Sequence, residues 1–291
     1  MNSNEKMMTD LHRLLAAQEF SSEADLKDFL SGLVEKELPS NPSENLGPKE
    51  RAQDLVFDAY ELSKTKGKKN AEIALELDPD CIEAYEYLGT VENSVELARL
   101  YFEKGVAIGR RVFGGNYLTE HKGMFWGFHE TRPFMRCLAY CSECLYEMGR
   151  VDDAVAILEE MIELNSNDNQ GVRDNLMVYL IELGEDAKFE KYEAMYKDDF
   201  GAFSAFNRAL YAFKSKGPTV QANKKLKKAI EDNSFVPVHL LSRKPITTLP
   251  DGYQLGSVEE AKIYASFARN VWRKTAGAFA WLKQHASKQH R

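Results

Sequence analysis

The stretch LAYCSECLYEMGRVDDAVAILEEM at residues 138–161 decides the fold class of this chain. In its first half, Leu138 is followed three positions later by the small residue Cys141, and in its second half Ala154 opens a similar series. Residues at i, i+3 and i+4 share one face of an α-helix, so each half predicts a helix with one apolar face. Gly149 lies between the halves and is typical of the position after a helix. The stretch therefore predicts a helical hairpin in which small residues let two helices approach closely.

Copies of this pattern recur along the chain at a nearly constant interval. Ala154, Phe189 and Ala222 occupy equivalent positions, separated by 35 and then 33 residues, and related patterns lie near Tyr85 and Phe206. A period of about 34 residues is typical of helix–turn–helix repeats. Because one such repeat cannot bury both of its apolar faces, the repeats must stack. We therefore expect an all-α solenoid of about five repeats with helical caps at both ends.

The spacing also resembles known families. Across residues 50–235 the pattern resembles the tetratricopeptide repeat (TPR) family, and the segments 130–136 and 167–173 are similar to uncharacterised bacterial and fungal TPR proteins. Residues 229–282 resemble the C-terminal part of the suppressor of tumorigenicity 7 family. The matching residues are Ala229-Ile230, Val236-Pro237, Leu240-Leu241, Gly256-Ser257, Ala261, Tyr264-Ala265, Trp272-Arg273 and Gly277-Ala278. These resemblances imply an α-helical scaffold and no catalytic residues.

These patterns divide the chain into four segments. We expect an N-terminal helical cap at 1–38, a linker at 39–48, TPR-like repeats at 49–235 and a C-terminal helical cap at 236–291. The interval from Ala98 to Ala154 is 56 residues, which exceeds one period by about 22. This excess predicts an insertion at 106–132, and its aromatic residues argue against disorder.

The overall composition excludes several classes of protein. Of 291 residues, 44% are hydrophobic and 29% charged, as in soluble globular proteins, and 9 prolines and 18 glycines are too few for a many-stranded β protein. The net charge of -7 disfavours binding of the whole chain to nucleic acid or an acidic membrane. The first residues lack a basic segment followed by an apolar one, and no long uncharged stretch occurs. We therefore expect no signal peptide, no membrane partner and a cytoplasmic location with free thiols.

The first helix of each repeat lines the concave surface of such stacks. The register of the repeats places six candidate groove residues there: Arg136, Tyr140, Asn175, Asn207, Arg208 and Tyr211. Arginine can bind carboxylates, asparagine can bind a peptide backbone, and the tyrosines together with Trp126 can cover side chains. We therefore predict a non-catalytic scaffold that binds a protein or peptide segment carrying acidic groups. The alternative is a concave wall that faces only water.

The insertion allows a second interpretation. Residues 106–136 carry five basic residues against two acidic ones, interleaved with aromatic rings. Cations and rings together suit a ligand with carboxylate or phosphate groups. His121, His129, Arg132 and Arg136 could therefore build a small-molecule or anion site, or an enzymatic one. The alternative is a loop whose aromatics form a local core and whose arginines pair with the acidic neighbouring repeat.

Two further groups of residues carry weaker signals. The lysine run at 214–228 could bind RNA, or it could be a solvated helix face. Cys137, Cys141 and Cys144 follow one side of a helix, and because Cys141 occupies the small-residue position we expect buried thiols rather than metal ligands. The sequence has no phosphate-binding glycine loop, nucleophile elbow or dinucleotide fingerprint. We therefore expect neither a cofactor nor an enzymatic activity.

Overall fold

The computed structural model describes residues 3–34 and 46–287, and within them every regular element is helical. The prediction of an all-α chain is therefore confirmed for these residues. The predicted linker at 39–48 lies outside the described residues except for its last three positions. By its internal contacts the chain forms two compact units: unit 1 is Met1–Asn169 and unit 2 is Gln170–Arg291. In the described part of the chain, no helix has the length and apolar character needed to span a membrane.

Unit 1 is built from helical hairpins. Its elements are α1 (Ser3–Ala16), α2 (Glu23–Val34), α3 (Pro48–Glu61), α4 (Lys64–Leu77), α5 (Ile82–Val91), α6 (Val95–Val112), α7 (Gly115–His121), a 3-10 turn (Phe125–Gly127), α8 (Arg132–Glu147) and α9 (Val151–Leu164). Three hairpins form from α3 with α4, α5 with α6, and α8 with α9. In addition, α3 packs on α5, and α5 packs on α8. The first helices of the three hairpins therefore pack in succession.

The hairpin of α8 and α9 comes from the stretch that decided the fold class. Cys141 and Ala154 are buried, and the Ser142 hydroxyl donates a hydrogen bond of 3.2 Å to the carbonyl oxygen of Ala154. Gly149 follows α8 with a φ of 78°, a left-handed conformation that glycine adopts without steric cost. Small residues at the contact and a glycine in the turn thus bring the two helices together, as the sequence pattern indicates.

The insertion forms a continuation of α6, the short helix α7 and the 3-10 turn. Its rings cluster: the centroid of Phe113 lies 5.2 Å from that of Tyr117 and 6.4 Å from that of Phe125. Thr131 is fully buried and its hydroxyl donates to the carbonyl oxygen of Phe128 over 2.9 Å. A local aromatic core therefore orders the insertion before α8 begins.

Unit 2 contains two hairpins and further C-terminal helices. Its elements are α10 (Val172–Leu183), α11 (Asp186–Met195), α12 (Ala202–Lys216), α13 (Val220–Asp232), α14 (Val236–Leu241), α15 (Val258–Lys274) and α16 (Ala278–Ala286). The hairpins are α10 with α11 and α12 with α13, and α15 packs on both α10 and α12. Tyr264 and Trp272 of α15 are fully buried in this contact. The C-terminal helix α15 therefore covers the first helices of both hairpins in unit 2.

One close contact provides a stability test of the hairpin packing. A Cβ atom added at Gly89 in α5 would lie 2.4 Å from the ring of Phe102 in α6, whereas a Cβ atom added at Gly32 in α2 would meet nothing within 4 Å. We expect Gly89→Ala to lower the free energy of unfolding by about 1–3 kcal/mol, because the ring must move out of a packed core. Gly32→Ala is the matched control and should raise it by about 0.5–1 kcal/mol, since alanine favours a helix. Urea denaturation measures both, and a stabilised Gly89→Ala would contradict the packing described.

Candidate functional site

The strongest candidate site in unit 1 is a surface that we call the A face. It is formed by side chains of the first helices α3, α5 and α8, and its residues are Gln53, Asp54, Glu83, Glu86, Arg136 and Tyr140. Hydrogen bonds between helices connect these side chains. The Gln53 amide donates to Glu83 Oε1 over 2.7 Å, and Arg136 donates to both oxygens of Glu86, over 2.7 Å from Nε and 2.9 Å from Nη2. The A face is therefore a polar network across three helices.

The pair of Arg136 and Glu86 is mostly withdrawn from water. The side chain of Glu86 is only 4% exposed and that of Arg136 is 15% exposed. Burial raises the pKa of Glu86, and the neighbouring Arg136 opposes this rise. Burial acts to lower the pKa of Arg136, but Glu86 and Glu5 outweigh it and the net shift is upward. Each group of the pair thus lies beside the opposite charge that offsets the cost of its burial.

Helix α1 lies on the A face and adds to this network. Glu5 accepts a hydrogen bond of 2.7 Å from Arg136 Nη1. At the other end of α1, Arg13 donates to Asp54 over 2.7 Å and to the Gln53 side-chain oxygen over 2.9 Å. The A face thus holds a helical segment of its own chain by ion pairs at both ends of that segment.

Tyr140, the other predicted groove residue of unit 1, is half-buried and lies 5.2 Å from Phe102, measured between ring centroids. It lines a hollow of about 360 Å³ together with Glu143 and the end of α5. Burial raises the pKa of Glu143 to about 7, and the nearby Glu147 contributes to this rise. The hollow therefore contains a carboxyl group that titrates near neutral pH.

The residues predicted as an anion site each contact other side chains of unit 1; they are His121, His129, Arg132 and Arg136. The ring of His121 lies 4.5 Å from those of Tyr117 and Phe128, and the ring of His129 lies 5.3 Å from that of His12 in α1. These separations are between ring centroids. Arg136 belongs to the ion pairs described above. His121 is therefore part of the aromatic cluster of the insertion, whereas His129 contributes to the surface on which α1 packs.

Arg132 and the neighbouring cations are also engaged. The Arg132 guanidinium lies 5.4 Å from the centroid of the Trp126 ring, and its Nε donates to the Trp126 carbonyl oxygen over 3.1 Å. Arg110 and Lys122 form ion pairs of 2.5 Å and 2.9 Å with acidic residues of α9, Glu160 and Glu163. These contacts favour the interpretation of the insertion as a packed loop whose cations face the acidic repeat. Burial lowers the pKa of His129, with smaller contributions from Arg132 and His12.

In unit 2 the predicted groove residues also have intramolecular partners. Asn207 is buried, and its side-chain oxygen accepts a hydrogen bond of 3.0 Å from the Tyr264 hydroxyl of α15. Arg208 donates to Glu193 over 2.6 Å, and its Nη1 donates to the carbonyl oxygen of Asp199 over 3.0 Å. Asn207, predicted on a concave surface, thus lies on a side of α12 that α15 covers, and the sequence pattern carried no information about this cover.

The remaining predicted residues of unit 2 lie nearer its surface. Tyr211 donates to Glu190 over 2.9 Å, and its ring stacks on Phe189 with centroids 4.1 Å apart. Asn175 is half-buried on α10. Tyr211 thus joins α12 to α11, while Asn175 keeps part of its side chain accessible to solvent.

The lysine run lies beside a cleft in unit 2. Lys224, Lys225 and Lys228 of α13 are exposed and line a cleft of about 490 Å³ together with residues of α12. Phe200, in the loop before α12, also lines this cleft and is 77% exposed. Lys228 pairs with Asp232 over 2.6 Å, and Lys214 donates to the carbonyl oxygen of Ile181. Three of the six lysines of the run therefore form a solvent-facing wall of this cleft.

The cysteines are free thiols, as expected. Cys137 and Cys141 are buried, and Cys144 is half-buried. Burial raises the pKa of Cys141 to about 12 and that of Cys144 to about 11, so both thiols are protonated at neutral pH. Within the described residues, no group of three or more His, Cys, Asp or Glu side chains could hold a metal ion.

Sequence reasoning missed four of the six A-face residues, namely Gln53, Asp54, Glu83 and Glu86. It also missed the two charged residues of α1 that contact this face, Glu5 and Arg13. A signal existed for Glu86, because it is a charged residue directly before the apolar pair Tyr87 and Leu88 in a helix that must bury one side. No local signal could have paired Glu5 with Arg136, since more than a hundred residues separate them.

The chain has low sequence similarity to several curated proteins that share one name. The chain is 26% identical over 242 residues to the protein named "Suppressor of tumorigenicity 7 protein-like" of Rattus norvegicus, covering 74% of this chain and 43% of the rat protein. The Homo sapiens protein of the same name is 25% identical over 247 residues, covering 74% of this chain and 41% of the human protein. The chain thus spans less than half the length of these curated relatives. No protein-family profile and no solved structure matches the chain.

The sequence comparison therefore confirms a similarity to proteins named suppressor of tumorigenicity 7-like. This similarity covers more of the chain than the sequence patterns indicated. Those patterns confined it to residues 229–282, whereas the alignments cover 74% of the chain.

The raised pKa of Glu143 makes stability depend on pH in a defined direction. Its usual pKa is 4.5, and in the folded protein it is about 7. Between these values the folded state holds a proton that the unfolded chain has released, so the contribution favours folding at low pH and is lost as the pH rises through 7. We expect Glu143→Gln to raise the free energy of unfolding at pH 8 by about 1–3 kcal/mol, and to change it much less at pH 4.5.

Chemical denaturation at the two pH values tests this expectation. Glu72→Gln is the matched control, because Glu72 is exposed on α4 and its replacement removes the same charge. An equal effect of Glu143→Gln at both pH values would show that burial does not control this carboxyl group.

Proposed function

We propose that this chain is a non-catalytic scaffold of TPR-like helical repeats and that the A face of unit 1 binds a segment of a partner protein. The observation that carries the proposal is the binding of α1 to the A face. Side chains of two different hairpins, Asp54 of α3 and Arg136 of α8, hold this helical segment. The succession of hairpins in unit 1, with α3 packed on α5 and α5 on α8, supports the assignment to TPR-like repeats.

The chemistry of the A face supports a peptide or protein as the ligand. Carboxylate, amide and guanidinium groups lie on three adjacent helices, so the groups that can hydrogen-bond are distributed along the length of an extended or helical segment. A polar face of this kind gives specificity and orientation to a bound segment. We also propose a cytoplasmic location for the chain, and the free thiols support this, since a reducing compartment preserves them.

A charge reversal on the A face tests the proposal. Glu83 is half-buried at the start of α5, whereas Glu72 is exposed on α4. In affinity purification from cells with quantitative mass spectrometry, we expect Glu83→Lys to reduce recovery of direct partners at least about 10-fold, the cost of about 1.4 kcal/mol of binding free energy. Glu72→Lys changes the charge equally and should leave recovery unchanged. Equal recovery with both variants, at equal thermal stability, would exclude the A face as the binding surface.

The cleft of unit 2 supports a second candidate function, RNA binding. Exposed cations beside an exposed ring form the combination that binds single-stranded nucleic acid, through phosphate contacts and base stacking. Here Lys224 and Lys225 provide the cations and Phe200 the ring. The observation in its favour is that all three side chains line one cleft.

The salt dependence of binding tests this second function. We expect a labelled single-stranded RNA homopolymer to bind with an affinity that falls steeply between 50 and 200 mM salt, on the order of 10-fold or more. Lys224→Glu with Lys225→Glu should abolish this binding. The control variant, Lys66→Glu with Lys69→Glu, reverses the charge of two exposed lysines of α4 in unit 1 and should retain RNA binding. Absent binding, or binding insensitive to salt, would remove RNA as the ligand.

A further inference from the structure

Helix α1 lies lengthwise against two helices of the A face. Glu5 pairs with Arg136, and later in α1 His12 contacts His129, which precedes Arg136 in sequence. The same reversal holds against α3, where the ammonium of Lys6 lies 6.0 Å from the Phe57 ring and Arg13 donates to the Glu50 carbonyl oxygen over 3.2 Å. Helix α1 therefore runs antiparallel to both α3 and α8.

Charged side chains at both ends of α1 are well covered. The side chain of Arg13 is only 8% exposed and that of Glu5 is 19% exposed. By contrast, Leu11, Leu14 and Leu15 are half-buried, and Met7 is 47% exposed. Of the side chains described in α1, none is fully buried. Helix α1 is therefore attached by ion pairs and partly covered leucines, and no side chain described in it is fully inserted into the core.

Removal of α1 would take a partner from three A-face side chains at two positions, one at Arg136 and one at Asp54 with Gln53. Arg136 would keep both hydrogen bonds to Glu86 and lose only Glu5. Asp54 and Gln53 would lose the guanidinium of Arg13. The two vacated positions define what the A face recognises, namely a carboxylate near Arg136 and a cation near Asp54. Glu5 and Arg13 are eight residues apart, which is about 12 Å along a helix.

We propose that α1 is an exchangeable occupant of the A face, and that the partner is an amphipathic helix with a carboxylate and, eight residues later, a guanidinium or ammonium group. This inference rests on the proposed function, because it concerns the same surface. The partner and α1 compete for Arg136 and Asp54. The apparent affinity for the partner is therefore the intrinsic affinity multiplied by the fraction of chains in which α1 has left the A face.

The experiment uses the full chain and a fluorescent peptide with the sequence of residues 3–17 as the probe. In the full chain, Glu5→Arg with Arg13→Glu reverses both charges of α1 and keeps the net charge. The control variant, Glu23→Lys with Lys27→Glu, makes the same exchange in an exposed pair of α2. We call the variant with both charges of α1 exchanged the α1-reversed chain. If α1 lies on the A face in more than about 90% of wild-type molecules, the peptide should bind the α1-reversed chain at least about 10-fold more tightly than the wild type or the control.

A second variant tests the charge pairing itself. A peptide carrying Arg13→Glu should not bind the α1-reversed chain, and should bind when that chain also carries Asp54→Arg. Hydrogen exchange of residues 3–16 should be faster in the α1-reversed chain than in the wild type, and circular dichroism should show unchanged helicity beyond α1.

The outcomes separate this inference from the proposed function. Equal binding of the peptide to the wild type and to the α1-reversed chain, absence of binding to the α1-reversed chain, or no effect of Asp54→Arg would each overturn the exchange of α1. The proposed function would still stand if recovery of partners falls with Glu83→Lys and not with Glu72→Lys. If neither variant changes recovery, the proposed function fails, whatever the peptide does.

Discussion

The ion pair between Arg136 and Glu86 is the constraint on which the A face depends. It joins α8 to α5 inside unit 1, where Glu86 is almost completely buried. Removing one partner of such a pair leaves the other charge uncompensated, which typically costs about 3–5 kcal/mol. Because Glu86 holds Arg136 through two hydrogen bonds, the remaining N–H groups of the guanidinium have a fixed direction. The interaction that organises the hairpins therefore also fixes the donor that meets Glu5.

The two units cover their first helices in physically different ways. In unit 2, Tyr264 and Trp272 of α15 are fully buried, and the Trp272 indole donates to the Tyr264 hydroxyl over 2.8 Å, which in turn donates to Asn207. In unit 1, α1 contributes ion pairs and no fully buried side chain among those described. Burial of large aromatic residues contributes several kcal/mol, whereas a largely covered ion pair gains little net free energy, because desolvation of the charges offsets their attraction. Helix α15 is therefore a permanent part of the core of unit 2. Helix α1 is held weakly enough on unit 1 to agree with the exchange proposed above.

The sequence predicted the helical hairpins better than the side chains that act on their surfaces. Residues 138–161 form the hairpin of α8 and α9 because helix periodicity and small contact residues are local properties. The register also placed Arg136 and Asn207 on the sides of their helices that face other elements. Which element lies there depends on long-range packing, and neither the contact of Glu5 with Arg136 nor that of Tyr264 with Asn207 has a local signal. The sequence therefore leaves both alternatives open for the groove and for the insertion.

The direction of α1 on the A face follows from charge. Glu5 lies in the first turn of α1 and Arg13 in its last turn, an arrangement that the helix dipole favours. The same arrangement fits the A face only when α1 runs antiparallel to α8, because the carboxylate must meet Arg136 and the cation must meet Asp54. A helix of the opposite direction would have to carry its cation in the first turn, where the dipole disfavours it, or bring like charges together. The A face therefore matches α1 in direction as well as in charge, and the residues of α1 that make this match, Glu5 and Arg13, also stabilise α1 itself.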